Sequence, residues 1–339
     1  MFKSQTVIIV GAGASAEFGV PTGRKVYSEA SSLQHRKYNE RISGFSFQRG
    51  FEEFLKGYNH NQLWAKFDEF KTRVDNAANL SIDRLAWLNT DIADICKAFS
   101  AWCIVRSLYT EKQEQFTDYG RKMVKMTYHR NRNHLAPLVG EYQNWIAKCT
   151  DKWLGQAKDW SELDPNILTF VTFNYDTIIE EVFRHFVSEN TRFRETPNDR
   201  LPAVLHVHGG FPQCPEIMPE GFLWKSQLCI NYIEEGGNSE AIRRAKIRLA
   251  DAKHIISVGF DFDPQNVELL QLSRYARKIH ALNYDGNEAF DNRVLNLGVP
   301  QKHILSGTFE NKLGVSAAAE RGFFDRPELF GSNYSLANA

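Results

Sequence analysis

Residues 5–23 read QTVIIVGAGASAEFGVPTG, and no other stretch of the chain restricts its fold as much. Val7, Ile8, Ile9 and Val10 form a short apolar, β-branched run that ends on Gly11, and Gly13 and Ala16 follow at the spacing G-x-G-x-x-A. An unbroken apolar run suits a strand buried on both faces, as the strands of a parallel sheet are. The glycines suit a tight turn from that strand into a helix. Together they predict the first strand–helix step of an open α/β sheet, with the spacing of turns that bring a dinucleotide's phosphates against a helix. A lone turn of this kind also occurs with no ligand at all.

The strand pattern then stops. From Lys25 to about Asp164 the apolar residues recur at three- and four-residue spacings, as in LWAKFDEFKTRV and SIDRLAWLNTDIADICKAFSAWCIVRSLY, which predicts helices. Ser81 stands where the N-cap of one of them belongs. After Pro165 strands return. NILTFVTF (166–173), AVLHVHGG (203–210), a run ending near Gly259, RKIHALNYDG and KHILSGTF alternate with helix-like segments. This predicts a Rossmann-like α/β fold, a mostly parallel sheet with helices on both faces and a large helical insertion after the first strand. The last residues, RGFFDRPELFGSNYSLANA, read as an appended tail whose Phe323, Phe324, Leu329 and Phe330 suit an oligomer or partner contact.

Bulk composition narrows the function classes. Basic and acidic side chains number 41 each, so nothing marks a dedicated nucleic-acid or membrane-surface protein. No apolar run approaches the ~20 residues of a membrane span. The first ten residues do not read as a signal peptide, and five irregularly spaced cysteines suit a reducing compartment, so a cytoplasmic location is expected.

In an open α/β sheet, ligands bind beyond the carboxyl ends of the strands. Those ends carry Gly11, Gly13 and Ser15; then Asn174 and Asp176; then His208 and Gly209; then Gly259 and Asp261; then Asn283 and Asp285. One polar cleft is implied. A hydride-transferring dehydrogenase needs a second strand about 20 residues after the glycines, ending in an acid or arginine for the ribose. The polar segment VPTGRKVYSEASSLQHRKYNE has no such strand.

The ordered set GAGAS, TFNYD, strand-terminal HG, VGFDF and LNYDG resembles the sirtuin superfamily, and within it the bacterial sirtuin-like NAD+-cleaving effectors of anti-phage defence. The resemblance covers roughly residues 5–24 and 165–290. It implies a sirtuin-like NAD-binding domain over 1–24 and 165–310; the inserted helical module over 25–164 and the tail over 311–339 are read from the sequence pattern and lie outside the resemblance. It also implies NAD+ as substrate, cradled by Gly11, Ala12, Gly13 and Ser15. Asn174 and Asp176 match the catalytic asparagine and the nicotinamide-pocket aspartate, and His208 the general base. Gly259, Asp261 and Asn283 stand where the family holds the ribose and adenosine side. The activity implied is NAD+ hydrolysis that depletes the dinucleotide during infection, with abortive infection as the outcome. A non-catalytic NAD or ADP-ribose sensor and a protein deacylase are the alternatives. The partners implied are further copies of the chain or a separate activating subunit, such as a HerA-type ATPase or an Argonaute-like protein. The chain departs from deacylating sirtuins in three ways. It has no C-x-x-C anywhere, so no four-cysteine zinc ribbon and no metal is expected. Phe173 replaces the glutamine before the asparagine, and Asp261 replaces a serine.

The chemistry suits these residue types without the resemblance. Breaking a nicotinamide–ribose bond passes through an oxocarbenium-like state, and the leaving group already carries positive charge, so no general acid is needed. An acceptor for the nicotinamide amide, a positioned water and a base are required, for which Asp176, Asn174 and His208 are apt. Other readings of the same residues stay open. Asn174 and Asp176 could form an Asx turn that caps the next helix. His206 and His208 share one strand face and could bind metal, or His206 could be a buried structural histidine. YHRNRNH (128–134) reads as a solvated basic turn, and Arg243, Arg244, Lys246 and Arg248 as an exposed helix face.

Overall fold

Ten strands and their connecting helices are defined in the computed structural model, which describes residues 2, 4–35, 51–52, 54–55, 61–77, 81–118, 121–139, 142–155, 157–219, 221–231, 238–283, 287–306, 314–320 and 323–324. The strands are β1 (Thr6–Val10), β2 (Tyr109–Asp118), β3 (Arg121–Arg130), β4 (Leu138–Val139), β5 (Tyr142–Gln143), β6 (Leu168–Thr172), β7 (Ala203–His206), β8 (His254–Val258), β9 (Ile279–Asn283) and β10 (Ile304–Ser306). The chain divides into two compact units. The first comprises Met1–Phe18, Arg132–Gly209 and Glu235–Ala339, and the second Gly19–Asn131 and Gly210–Glu234.

The first unit holds a six-stranded sheet in the order β10-β9-β8-β1-β6-β7, with every pairing parallel. Counted along the chain, this is the 3-2-1-4-5-6 order of doubly wound nucleotide-binding folds. Strand order reverses between β1 and β8, and the crevice beyond their carboxyl ends is where such folds bind ligands. β1, β6 and β9 are buried along their whole length, which is why their sequences are mostly apolar, with Thr169, Thr172, His280 and Asn283 as buried polar exceptions in β6 and β9. On one face Val7, Ile9, Val171, Leu205, Ile242, Leu249 and Phe290 share a core. On the other, Phe170 meets Phe183 of the Ile178–Glu189 helix edge-on at 5.8 Å, and Phe183 meets Trp153 of the Trp145–Leu154 helix at 5.4 Å.

The C-terminal segment is not wholly a loose tail. Gly314–Glu320 is a helix buried over all but its last residue. Its first turn is capped from a distance by Glu17, which follows the Ala12–Ala16 helix of the glycine turn. That carboxylate accepts from Ser316 Oγ at 2.6 Å, from the Ser316 amide and from the Val315 amide. Burial pushes the Glu17 carboxyl up to about 7, against these three bonds that favour its charged form. Phe323 and Phe324 are buried too, with Phe324 stacked on Trp145 at 6.2 Å, so both pack within the chain itself. Leu329 and Phe330 lie outside the described residues.

The described residues of the second unit are mainly helical up to Leu108, and Ser81 caps the Ile82–Leu88 helix by accepting from the Arg84 amide at 3.2 Å. Phe51, Phe67, Phe70 and Phe99 are buried together, with Phe51 edge-on to Phe99 at 5.0 Å. The Ala93–Leu108 helix then runs directly into the β2–β3 hairpin, where more helix was expected. Arg130 is buried rather than solvated, donating to the Leu108 carbonyl at 3.0 Å.

At the opposite end of the sheet from the crevice, three histidines lie close together. His280 is buried, stacks on His303 at 4.3 Å and lies 6.0 Å from His254. Burial first, and then His303 and His254, push the His280 imidazole down to about 3. The unfolded chain takes up this proton from about pH 6.5 downward and the folded chain does not, so stability falls as pH falls through that window. Lowering the pH from 7.5 to 5.5 should cost about 1.4 kcal/mol through His280 alone. Urea unfolding at the two pH values should show that loss, reduced by about that amount in His280→Phe. An equal loss in both proteins contradicts this origin.

Candidate functional site

Gly11 ends β1, and its amide donates to the Val258 carbonyl at 3.0 Å; the Gly13 amide donates to the Gly259 carbonyl at 3.0 Å. A Cβ on Gly11 would lie 2.6 Å from Phe260 Cα and nearer still to the Gly259 carbonyl oxygen. The two glycines therefore join the ends of β1 and β8 across the point where strand order reverses. The amides of Gly11 and Gly13 are thus both engaged by the end of β8 and the loop that follows it. Ala12 and Gly13 are half-buried, whereas Ser15 points into the protein and is buried.

From β6, Asn174 reaches back to this turn. Its Nδ2 donates to Ser15 Oγ at 2.8 Å and to the Gly11 carbonyl at 3.2 Å. Its Oδ1 is buried with no hydrogen-bond partner among the described residues. Asp176, also buried, accepts from the Ile178 amide at 3.1 Å and from the Ser15 side chain. Burial raises its pKa above the usual carboxylate range, although those two hydrogen bonds and His206 oppose the shift. The Asx-turn reading is thus part of the truth, since Asp176 accepts from the amide two residues on while sharing Ser15 with Asn174; the N-cap of the next helix is Thr177.

His208, just beyond β7, is buried, with Nε2 3.0 Å from Asn266 Oδ1. An amide oxygen only accepts, so Nε2 carries the hydrogen and Nδ1 is the basic nitrogen. That Nδ1 is likewise buried with no partner among the described residues. The imidazole lies against Phe173 at 5.3 Å, and Phe173 stacks on Phe260 at 4.8 Å. His206 faces elsewhere: Nδ1 is 2.8 Å from the Asn174 carbonyl and Nε2 2.7 Å from Glu180 Oε1. Among the described residues, no group of three or more metal-ligating side chains is arranged to hold an ion.

The residues expected on the ribose and adenosine side have partners of their own. Asp261 is exposed and paired with Arg293. Asn283 is buried, but its amide is consumed by its own loop, donating to the Asn287 carbonyl at 3.0 Å and Asp291 Oδ1 at 2.8 Å and accepting from the Asn287 amide at 3.1 Å. Asp285 lies outside the described residues. Three contributors went unread in the sequence. Asn266 sits in the short helix opened by Asp263 and Pro264, an N-cap signal present in DFDPQN. Glu180 carried no signal beyond an acid in a first helical turn. Phe260 stands in VGFDF, where Gly259 and Asp261 drew the reading instead.

Fold and site together define a doubly wound α/β protein with a buried Ser–Asn–Asp–His cluster at its strand tips. No protein-family model matches the sequence, and no curated protein matches it. Among solved structures, the chain is similar to a Sir2 in complex with the inhibitor EX-527, 2′-O-acetyl-ADP-ribose and a deacetylated p53 peptide, at 14% identity and a TM-score of 0.38, covering 94% of this chain and 93% of that one. It is also similar to a Sir2 homologue in complex with NAD, at 14% identity and a TM-score of 0.34, covering 88% and 91% of the respective chains. No described helix is long and apolar enough to cross a membrane.

Proposed function

We propose that the strand-tip cluster is the active site of a sirtuin-like NAD+ hydrolase. The observation that carries this reading is a pair of buried acceptors, Asn174 Oδ1 and His208 Nδ1, with no protein partner among the described residues. A buried acceptor left unsatisfied costs about 1–3 kcal/mol, so two at neighbouring strand tips favour a hydroxyl-bearing ligand. A ribose and an attacking water supply such donors. Asn174 Oδ1 accepts from the water and holds it at the anomeric carbon. As the C–N bond breaks, its electron pair leaves with nicotinamide and quenches the pyridinium charge. The water oxygen bonds to the anomeric carbon, and its proton passes to His208 Nδ1. Asp176 lies beside them to accept from the nicotinamide amide. Ser15 ties Asn174 to Asp176 and fixes their spacing, and Phe173 and Phe260 provide an apolar wall.

An enzyme that consumes NAD+ must be held silent until needed. The same reading therefore includes control by self-association or by a separate subunit, such as a HerA-type ATPase or an Argonaute-like protein, in anti-phage defence. Release of nicotinamide from NAD+, without any acyl-lysine peptide or added metal, tests the proposal. Equimolar nicotinamide and ADP-ribose are expected, and chelator should leave the rate unchanged. Binding without turnover would make the protein a sensor, and turnover only with an acylated peptide would make it a deacylase.

A further inference from the structure

We propose that Glu180 and His206 are a positioning pair for Asn174, holding its backbone so that its side chain keeps the attacking water at the reacting carbon; this rests on the hydrolase reading above. The geometry determines where the protons lie. A backbone carbonyl only accepts, so the 2.8 Å contact with Asn174 requires the hydrogen on His206 Nδ1. The 2.7 Å contact between Nε2 and Glu180 Oε1 then requires a second proton between those two atoms. The pair as it stands is an imidazolium on a carboxylate, or its neutral equivalent. The other oxygen of Glu180, Oε2, is buried with no partner among the described residues, so no described neighbour draws the carboxylate away from His206.

The charged groups facing His206 are Glu180, from the Ile178–Glu189 helix, and Asp176, from the loop after β6. Just beyond its own strand, His208 is turned to Asn266. Burial opposes the charge on His206, but the hydrogen bond and the charge of Glu180, the Asn174 carbonyl and Asp176 together raise its pKa above the ordinary histidine value. Rising pH removes the shared proton and sets a lone pair against the carboxylate. The grip on Asn174 then loosens. The neighbouring pair, His134 with Glu181 at 2.9 Å, anchors the other end of the same loop, because Thr177 donates to Glu181 at 2.7 Å. The loop from β6 thus hangs from two adjacent glutamates, and His206 is the link that reaches Asn174.

The test uses Glu180→Gln in the full chain, because glutamine keeps the shape and a hydrogen-bond acceptor but removes the charge. With histidine and tyrosine labelled by nitrogen-15, the Tyr175 amide, which shares a peptide plane with the Asn174 carbonyl, should titrate with the His206 imidazole. In Glu180→Gln that shared midpoint should move to lower pH by at least about one unit, since the partner that raises it is gone. NAD+ cleavage by the variant should show kcat about tenfold lower with KM little changed, as misplacement of one reacting group implies. The alkaline fall of its pH profile should move in the same direction. A Tyr175 amide that stays flat while His206 titrates overturns the pair. A kcat and pH profile equal to wild type, with the Tyr175 coupling present, overturns its positioning role. The amide is read without NAD+, so wild-type protein that turns over no NAD+ sinks the hydrolase reading alone.

Discussion

Asn174→Ala and His208→Ala should each cleave NAD+ at least about 100-fold more slowly than the wild-type protein, the low end for losing a positioned proton-transfer or water-holding group. Both should bind NAD+ nearly as tightly, because the lost contacts act on the reacting carbon and its water rather than on the bulk of the dinucleotide. The two fail for different reasons. His208→Ala removes the nitrogen whose lone pair receives the proton. Asn174→Ala removes the oxygen that holds the water and also frees Ser15 Oγ and the Gly11 carbonyl. The structural cost should be about 1–2 kcal/mol each, small against a domain stability of about 5–15 kcal/mol, so both variants should fold. Steady-state rates beside calorimetric NAD+ affinity separate the effects. A His208→Ala protein with near wild-type turnover would leave the reaction without its base.

The largest effect on stability is expected at Gly259. Its φ of +59° suits glycine, and a Cβ there would lie 2.6 Å from the Gly13 carbonyl carbon and nearer still to the Ala14 amide nitrogen. These neighbours are backbone atoms held by the β1–β8 tip bonds, so they cannot swing aside as a side chain would. Gly259→Ala should cost at least about 3 kcal/mol, at the diagnostic end of single substitutions. Gly298 supplies the comparison, with a φ of +94° and only the Ala276 Cβ nearby, at 3.6 Å. Gly298→Ala should therefore cost about 1–2 kcal/mol, the backbone strain alone. Urea unfolding of the two variants measures the difference. Equal losses would mean that the close approach at the strand tips contributes nothing.

The sheet was legible because a parallel strand buried on both faces is apolar or β-branched along most of its length. VIIV, LTFVT and HIISV announce β1, β6 and β8, and the polar residues that follow them mark the strand tips. The β2–β3 hairpin was not legible. TEKQEQFTD and RKMVKMT carry no apolar alternation, which is the signal that marks a half-buried strand. The Gly314–Glu320 helix was missed because GVSAAAE is short and built of small residues, and its anchor, Glu17, lies almost the whole chain away.

At the site, residue type was readable and residue duty was not. Asn174, Asp176 and His208 were found from their places after strands, and the structure places all three in buried positions at those tips. Asn283 was read as a ribose- or adenosine-side residue from its similar place after a strand, and its bonds to Asn287 and Asp291 are decided by where those residues fall, which no sequence pattern states. Gly11 and Gly13 have the spacing of a phosphate turn but give their amides to β8. His206 read as structural or metal-binding, and its partner Glu180 lies on an element whose register against β7 no sequence pattern states.

The most direct test of the central claim is a crystal structure of His208→Ala with NAD+ soaked in, since the slowed variant should hold its substrate intact. The account predicts the nicotinamide ribose within hydrogen-bonding reach of the Asn174 amide oxygen, about 3 Å, with the nicotinamide amide beside Asp176. Density for the dinucleotide at any other part of the sheet, or a nicotinamide ribose turned away from Asn174, would contradict it.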